Sequence, residues 1–512
     1  MTDAWSPAVA AWSPAVAETH ISTVFFAGNR AYKVLKPVRT SFLDQSTTAC
    51  RLDAVERELN LNRRIAPDVY LGTADVVENG DVVDRMLVMR RMPADRRLPA
   101  LIGTDELDPC LHAVARQVAV FHESQRPTLG EEAETIAGRD AVRRNWNDNH
   151  TDLEPLVGDV LPAADAARVR ELVDRYLDHK EALFQRRIDD GFVRDGHGDL
   201  TAQDIFCLPD GPRILDCLAF DRRLRIADVM ADVAFLAMDL DRLAGAGVAR
   251  LFVDRYCRFT GEHHPASLAH HYIAYRAHVR AKVAGIRYVQ GASDAADELR
   301  SYHELCLRHL ERADPLVVLV GGSPGTGKTT LARALSASLG LMQLRTDELR
   351  KDLAGLGHQV QTRAPVDEGI YSPDLSARTY EELVDRAGKL VDQGESVVLD
   401  ASWNEVPLRR AVAAMAAEHG ATTVEIECVL EAATAKARVA RRLLAGIDAS
   451  DARPELIDDL RARQAPWPDA VKVDTSGPPA DVLAQVLDEV PLLARRSIGW
   501  TEPAEAHRAG TS

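Results

Sequence analysis

A chain of 512 residues is too long for one hydrophobic core, and its length alone suggests about three folding units. With 46% apolar and 27% charged residues the composition is globular, and the formal net charge of -16 removes the basic footprint that nucleic-acid binders use. That balance argues against nucleic acid as a partner and for a small anionic or neutral substrate held with a cation.

In chain order, the heptapeptide AWSPAVA comes first and occurs twice, at Ala4 to Ala10 and Ala11 to Ala17. Each copy carries a proline and no basic start precedes it, which argues against a signal peptide; residues 1–19 read as a mobile leader. No apolar run approaches the roughly 18 residues needed to span a bilayer, so no membrane association is expected. The seven cysteines, Cys50, Cys110, Cys207, Cys217, Cys257, Cys306 and Cys428, are odd in number and contain no CxxC pair. This usage argues against a disulfide framework or a zinc site and for a reducing cytoplasm.

Residues 20–110 are strand-rich. Ser22 to Ala27 and Ala31 to Val34 flank Gly28-Asn29, a hairpin signal, and Leu52 to Ile65 is a charged amphipathic helix. Val76-Val77 and Val82-Val83 flank Asn79-Gly80, a second hairpin signal, and Leu87 to Met89 closes a small sheet. The result is a compact α+β lobe. Residues 111–313 are mostly helical, with a strand-and-loop insert from Phe192 to Leu218 and one exposed helix from Ser293 to Glu311. Asp314-Pro315 marks a boundary, because the residue before proline is pushed out of helix. Leu316 to Val320 is an unbroken apolar run, as in a strand buried on both faces of a parallel sheet. Runs at Ser396 to Leu399 and Val424 to Leu430 alternate with helices, so residues 314–494 form an α/β domain; 495–512 are a polar tail.

The segment Gly322, Ser323, Pro324, Gly325, Thr326, Gly327, Lys328, Thr329 matches G-x4-G-K-S/T. Its glycines let backbone N–H groups face one point, and the helix from Thr330 adds its positive end. In this pattern Lys328 reaches the β- and γ-phosphates of ATP and Thr329 ligates Mg²⁺. Asp347 follows the strand-like Leu341 to Leu344, and Asp400 ends Val397 to Leu399. Carboxylates at strand C-termini face the crevice of an open α/β sheet, so Asp347 is the candidate catalytic base and Asp400 a candidate metal residue. The competing reading for both is helix capping. Lys436, Arg438, Arg441 and Arg442 crowd one helical stretch, with Asp448 and Asp451 just after it. It is either a solvated face or a lid whose Arg438 and Arg442 close over the nucleotide.

The motifs GGSPGTGKTT, RTDELRK (Arg345 to Lys351), VVLDASW (Val397 to Trp403) and AGIDASDARPE (Ala445 to Glu455) resemble the P-loop small-molecule kinases related to gluconate kinase, polynucleotide kinase and zeta toxins. That resemblance implies phosphoryl transfer from ATP to a hydroxyl and leaves the acceptor open.

A second constellation lies upstream. Asp199 sits in His197-Gly198-Asp199-Leu200, Asp204 follows five positions later, and Asp216 follows Arg213 to Leu215. Protein kinases use this order for a catalytic Asp, a metal residue and a second metal Asp. Lys33 stands where a strand lysine holds the α- and β-phosphates, and Glu58 on the next helix is placed to pair with it. FFAGNRAYKVLKPV (Phe25 to Val38), ERELNLNRRIAPDVYLG (Glu56 to Gly72), HGDL, ILDCLAFD (Ile214 to Asp221), DVMADVAFLAMDL (Asp228 to Leu240) and YRAHVRAKVA (Tyr275 to Ala284) resemble the aminoglycoside-phosphotransferase group, in the form fused to a C-terminal P-loop kinase. The resemblance implies a two-lobed kinase-like unit. Three positions depart from its pattern: Asp204 replaces the metal-binding Asn, Thr201 replaces a His, and Ala219 replaces a Glu.

Two functions follow as expectations. One is an ATP- and Mg²⁺-dependent kinase acting on a small-molecule hydroxyl. The other is an ATP-binding regulatory or stress-related protein whose N-terminal unit is catalytically weak. Action on nucleic-acid ends fits the acidic balance less well.

Overall fold

The computed structural model describes residues 15–19, 21–39, 43–358, 360, 368–445 and 453–497. The first heptapeptide, most of the second, Asp448, Asp451 and residues 498–512 lie outside them. The chain folds as two compact units: one from Met1–Ala137 with Arg187–Glu262, the other from Gly138–Arg186 with His263–Ser512.

In the first unit, strands β1 (Ala15–Glu18), β2 (Ser22–Ala27), β3 (Arg30–Leu35), β4 (Tyr70–Glu78) and β5 (Asp81–Arg90) form an antiparallel sheet in the order β1-β2-β3-β5-β4. Asn79 and Gly80 both take positive φ, 54° and 94°, as the two-residue turn joining β4 to β5 requires. The helix Thr48–Asn62 starts earlier than its apolar pattern because Thr47 caps it, accepting from the Cys50 N–H at 3.2 Å. The end of the second heptapeptide supplies β1, which pairs with β2 from Ala15 to Glu18.

After helix Leu107–Ser124 come two short antiparallel pairs, β6 (Val193–Asp195) with β9 (Ile226–Asp228) and β7 (Ile205–Leu208) with β8 (Gly211–Ile214). The helix Val229–Ala244 is buried from Val229 through Asp241 and is the centre of this half of the unit. Buried Arg187 holds the Asp228 carboxylate at 2.6 and 2.7 Å, and that carboxylate also accepts the Met230 N–H at this helix's start. The cysteine expectation needs correction. Cys110 and Cys207 form a disulfide, Cα atoms 6.0 Å apart, across a sequence separation of 97. Spacing along the chain carries no trace of a pair brought together by tertiary packing.

In the second unit, β10 (Leu316–Gly321), β11 (Met342–Arg345), β12 (Val397–Asp400), β13 (Thr422–Val429) and β14 (Val471–Asp474) form a wholly parallel sheet in the order β11-β12-β10-β13-β14. Leu316, Val318 and Val320 point into one core layer and Val317 and Leu319 into the other. A strand covered on both faces needs apolar residues at every position, which is why the run does not alternate. Helices Arg139–Leu153, Ala163–His179, Ala266–Val289 and Ala295–Ala313 belong to this unit too. Two polar bonds help attach them: Arg175 pairs with Asp314 at 2.9 Å, and the Lys180 ammonium donates to the His419 carbonyl at 3.0 Å. The helix expected to be exposed, Ser293 to Glu311, is instead half-buried, with Leu299, Tyr302, Cys306 and Leu310 inside. Its apolar positions recur at helical spacing among the charges, and that stripe packs inward. The fold is thus an α+β N-terminal unit followed by an α/β domain with a parallel sheet.

Candidate functional site

The loop between β10 and helix Lys328–Leu339 curls around its own backbone. Gly322, Gly325 and Gly327 take φ of 130°, 83° and 90°, and Gly327 sits at the helix N-terminus in the left-handed region. Glycine is needed twice over. A Cβ at Gly322 would lie 2.4 Å from the Cys428 carbonyl oxygen, and one at Gly325 would lie 2.5 Å from that of Ala435. The loop is pinned from outside: Thr475 Oγ1 donates to the Thr326 carbonyl at 2.5 Å, and Ser323 Oγ donates to Gln464 Oε1 at 3.0 Å. Thr326 Oγ1 returns to the Ser323 carbonyl at 2.8 Å, and Thr330 is exposed in the first turn of the helix.

Lys328, Thr329, Asp347 and Asp400 are brought together here. β12 runs parallel to β10 with Asp400 opposite Val320, which places the carboxylate at the loop's mouth. The Thr329 hydroxyl hydrogen-bonds that carboxylate. Burial pushes the Asp400 carboxyl above its ordinary range, against the Lys328 ammonium and the Thr329 hydroxyl, and the Asp347 charge pushes it further. Lys328 donates to the Ser323 carbonyl at 3.1 Å. Burial pulls its ammonium below the usual lysine range, although Asp400 and Asp347 oppose that. Asp347 is the second residue of helix Thr346–Leu353, whose capping position is Arg345, so its side chain does not cap that helix. Arg438 Nη2 donates to the Thr475 carbonyl at 2.8 Å, and the Arg442 charge reaches Lys328.

In the first unit the scattered candidates also converge. Lys33 on β3 pairs with Glu58 at 2.8 Å and with Asp216 at 3.0 Å. Burial alone would depress its ammonium, but the Asp216 and Glu58 charges lift it well above the ordinary range. The Lys33 ammonium holds Asp216 low, while burial pushes Glu58 up. Asp204 ends the helical turn Ala202–Asp204 just before β7 and accepts from Thr201 Oγ1 at 2.7 Å. Burial pushes its carboxyl up to about 7, and the charges of Asp216 and Asp199 add to the shift. Two of the departures from the family pattern therefore touch one another.

Several site residues were not assigned a role from the sequence. Asp232 accepts the backbone N–H groups of His197 and Gly198 at 2.5 and 2.7 Å, so it fixes the loop bearing Asp199. His122 Nε2 lies 3.1 Å from the same carboxylate. Asp239 accepts the Ala202 N–H at 2.9 Å one step further on. Acidic residues inside an apolar helix, as in DVMADVAFLAMDL, were the available hint, because buried carboxylates need partners. Arg345, 3.3 Å from Asp400, stood in the RTDELRK motif without a role of its own, and Thr475 was silent.

With this geometry in view, the likenesses to known proteins can be stated. A family model described as AAA domain matches residues 317–467, which span the loop, Asp347, Asp400, Arg438 and Arg442. The uncharacterized protein Rv2004c of Mycobacterium tuberculosis (strain ATCC 25618 / H37Rv) is 37% identical over 463 residues, covering 90% of this chain and 92% of that one. The chain belongs to the family of that protein. Among solved structures, the GDP complex of aminoglycoside 2'-phosphotransferase-IIIa aligns at 14% identity and a TM-score of 0.37 over 59% of this chain and 94% of that one. A gluconokinase from Sinorhizobium meliloti 1021 aligns at 18% identity and a TM-score of 0.26 over 36% and 93%. No helix among the described residues is long and apolar enough to cross a membrane.

Proposed function

We propose that this family member is an ATP- and Mg²⁺-dependent phosphotransferase that moves the γ-phosphoryl group to a hydroxyl of a small molecule. One observation carries the reading: a glycine loop, a lysine that donates to a backbone carbonyl, a threonine–aspartate pair and a second carboxylate meet at the C-terminal ends of parallel strands. The donor set fits a divalent ion, since the buried Asp400 carboxylate and the Thr329 hydroxyl beside it are hard oxygen ligands. Thr329 and Asp400 would hold Mg²⁺, which when bound neutralises phosphate charge. Lys328 and the loop amides bind and orient the β- and γ-phosphates. Asp347 takes the proton from the acceptor hydroxyl as the oxygen attacks. Arg438 and Arg442 close over the phosphates from helix Ala432–Ala445.

The first unit is read as a second nucleotide site. Lys33 grips the α- and β-phosphates, Asp204 and Asp216 hold the cation, and Asp199 faces the acceptor. Cys50, Cys217, Cys257, Cys306 and Cys428 form no disulfide, which supports a cytoplasmic setting, whereas the Cys110–Cys207 disulfide weighs against it. The test is a metabolite-pool screen with labelled ATP, comparing the native chain with Lys328→Ala and with Asp199→Asn. Product that disappears in one variant assigns the transfer to that site. Undiminished ATP consumption and product in both variants rejects the proposal.

A further inference from the structure

Asp216 adopts a backbone conformation that residues with a Cβ avoid: φ is 64°. Two side chains from elsewhere in the first unit hold it there. The Asp216 N–H donates to the Tyr70 hydroxyl at 2.9 Å, and the next amide, that of Cys217, donates to Asn62 Oδ1 at 2.8 Å. Asn62 is itself oriented, because its Nδ2 donates to the Glu58 carbonyl at 2.9 Å. Both side chains are sealed from water, Tyr70 at 1% and Asn62 at 0% exposure, while the Asp216 side chain keeps 56% of its surface open.

The placement is unusual for polar groups. Tyr70 begins β4 and Asn62 ends helix Thr48–Asn62, positions that an apolar residue would pack well. A buried phenol or amide is costly unless it is hydrogen-bonded, and here both find their partners in consecutive amides of one strained turn. One of the bonds reaches the helix that also carries the phosphate lysine's partner: Glu58 lies one turn before Asn62. Resting on the reading of Lys33, Asp204 and Asp216 as a nucleotide–cation site, we propose that Tyr70 and Asn62 are positioning residues. They hold Asp216 in the left-handed turn that aims its carboxylate at Lys33 and at a nucleotide-bound cation. Released from them, the turn relaxes toward negative φ and the carboxylate swings off the cation's position.

The experiment uses the full-length chain carrying Lys328→Ala, so that nucleotide uptake reports the first unit. ATP binding is followed by calorimetry across a Mg²⁺ series, protein-bound Mn²⁺ is counted by electron paramagnetic resonance with a non-hydrolysable ATP analogue, and melting temperatures are recorded. Tyr70→Phe removes only the hydroxyl; it should raise the Mg²⁺ concentration for half-maximal ATP binding about tenfold, as loss of a residue supporting a metal ligand does. Asn62→Leu should shift the midpoint in the same direction, and both variants should release Mn²⁺ more readily. Parent-like Mg²⁺ and Mn²⁺ responses in both variants overturn the proposal, as does a lowered melting temperature with an unchanged Mg²⁺ midpoint, the mark of a purely structural role. Lys33→Ala in the same background separates the two layers of inference. If it leaves ATP binding intact, the nucleotide-site reading fails and the positioning role falls with it; if it abolishes binding while Tyr70→Phe is silent, only the positioning role falls.

Discussion

Lys33 and Lys328 are both ammonium groups drawn into protein beside carboxylates, yet their surroundings pull them in opposite directions. At Lys33 the Asp216 and Glu58 carboxylates overcome the cost of burial and fix the charge. At Lys328 burial outweighs Asp400 and Asp347, and the ammonium donates to the Ser323 backbone carbonyl. The first lysine is neutralised by its ion pairs, so on the proposed function a phosphate there arrives with its own cation. On the proposed function, the second, whose lysine donates to a backbone carbonyl at the mouth of a glycine loop, takes a phosphate directly. Two solutions to one chemical problem differ in where the compensating charge resides.

The sharpest break is Lys328→Ala, which should lower ATP turnover by the second unit roughly a thousandfold, the scale of losing a cationic clamp on a transferring group. Steady-state ATP consumption with unchanged circular dichroism checks it. Asp199→Asn, placed in that background, should lower any remaining turnover roughly a hundredfold, as expected for a general base. If the residual rate is insensitive to Asp199, the first unit does no transfer.

Asp232→Asn tests what supports Asp199. Burial would raise the Asp232 carboxyl, but bonds from His122 and the His197 amide, with the His122 and His197 charges, hold it well below its ordinary value. A depressed carboxyl contributes stability that is fully present above the unfolded value, about 3.9, and is lost as pH falls below it. Asp232→Asn should therefore cost about 3 kcal/mol near neutrality, from charge-assisted hydrogen bonds, and progressively less in acid. Urea unfolding at pH 7 and pH 3 gives the comparison; an equal loss at both would show that charge is not the cause.

The difference between the lysines also predicts a ligand response. Inorganic pyrophosphate without Mg²⁺, at about 100 times its dissociation constant, should stabilise the chain by about 2.7 kcal/mol through the second unit. Thermal melts should lose this effect in Lys328→Ala and keep it in Lys33→Ala. The smallest effect expected is that of Arg438→Ala. Its guanidinium is committed to the Thr475 carbonyl beside the loop, and losing one such bond of about 1.4 kcal/mol should weaken ATP binding about tenfold by calorimetry.

How much of this was legible beforehand follows the same division. The phosphate loop was readable outright, because eight consecutive residues supply its amides, its lysine and its hydroxyl, and local backbone chemistry needs no partner from afar. The unbroken apolar run at Leu316–Val320 likewise announced a two-sided strand, and Asn79-Gly80 its hairpin. Lys33, Glu58, Asp204 and Asp216 were recognisable as an ordered series, but the distances that join them, across 183 positions for Lys33 and Asp216, come from packing alone. The Cys110–Cys207 pair and the partners of the Tyr70 and Asn62 side chains had no sequence signature, whereas the stripe of Ala295–Ala313 and the acids around Asp232 left a periodic or compositional hint. Composition and spacing determine which groups a segment can offer to its neighbours in the chain. Which buried amide meets which side chain is decided only when distant elements close on one another, since a polar group sealed from water takes whatever partner the fold delivers.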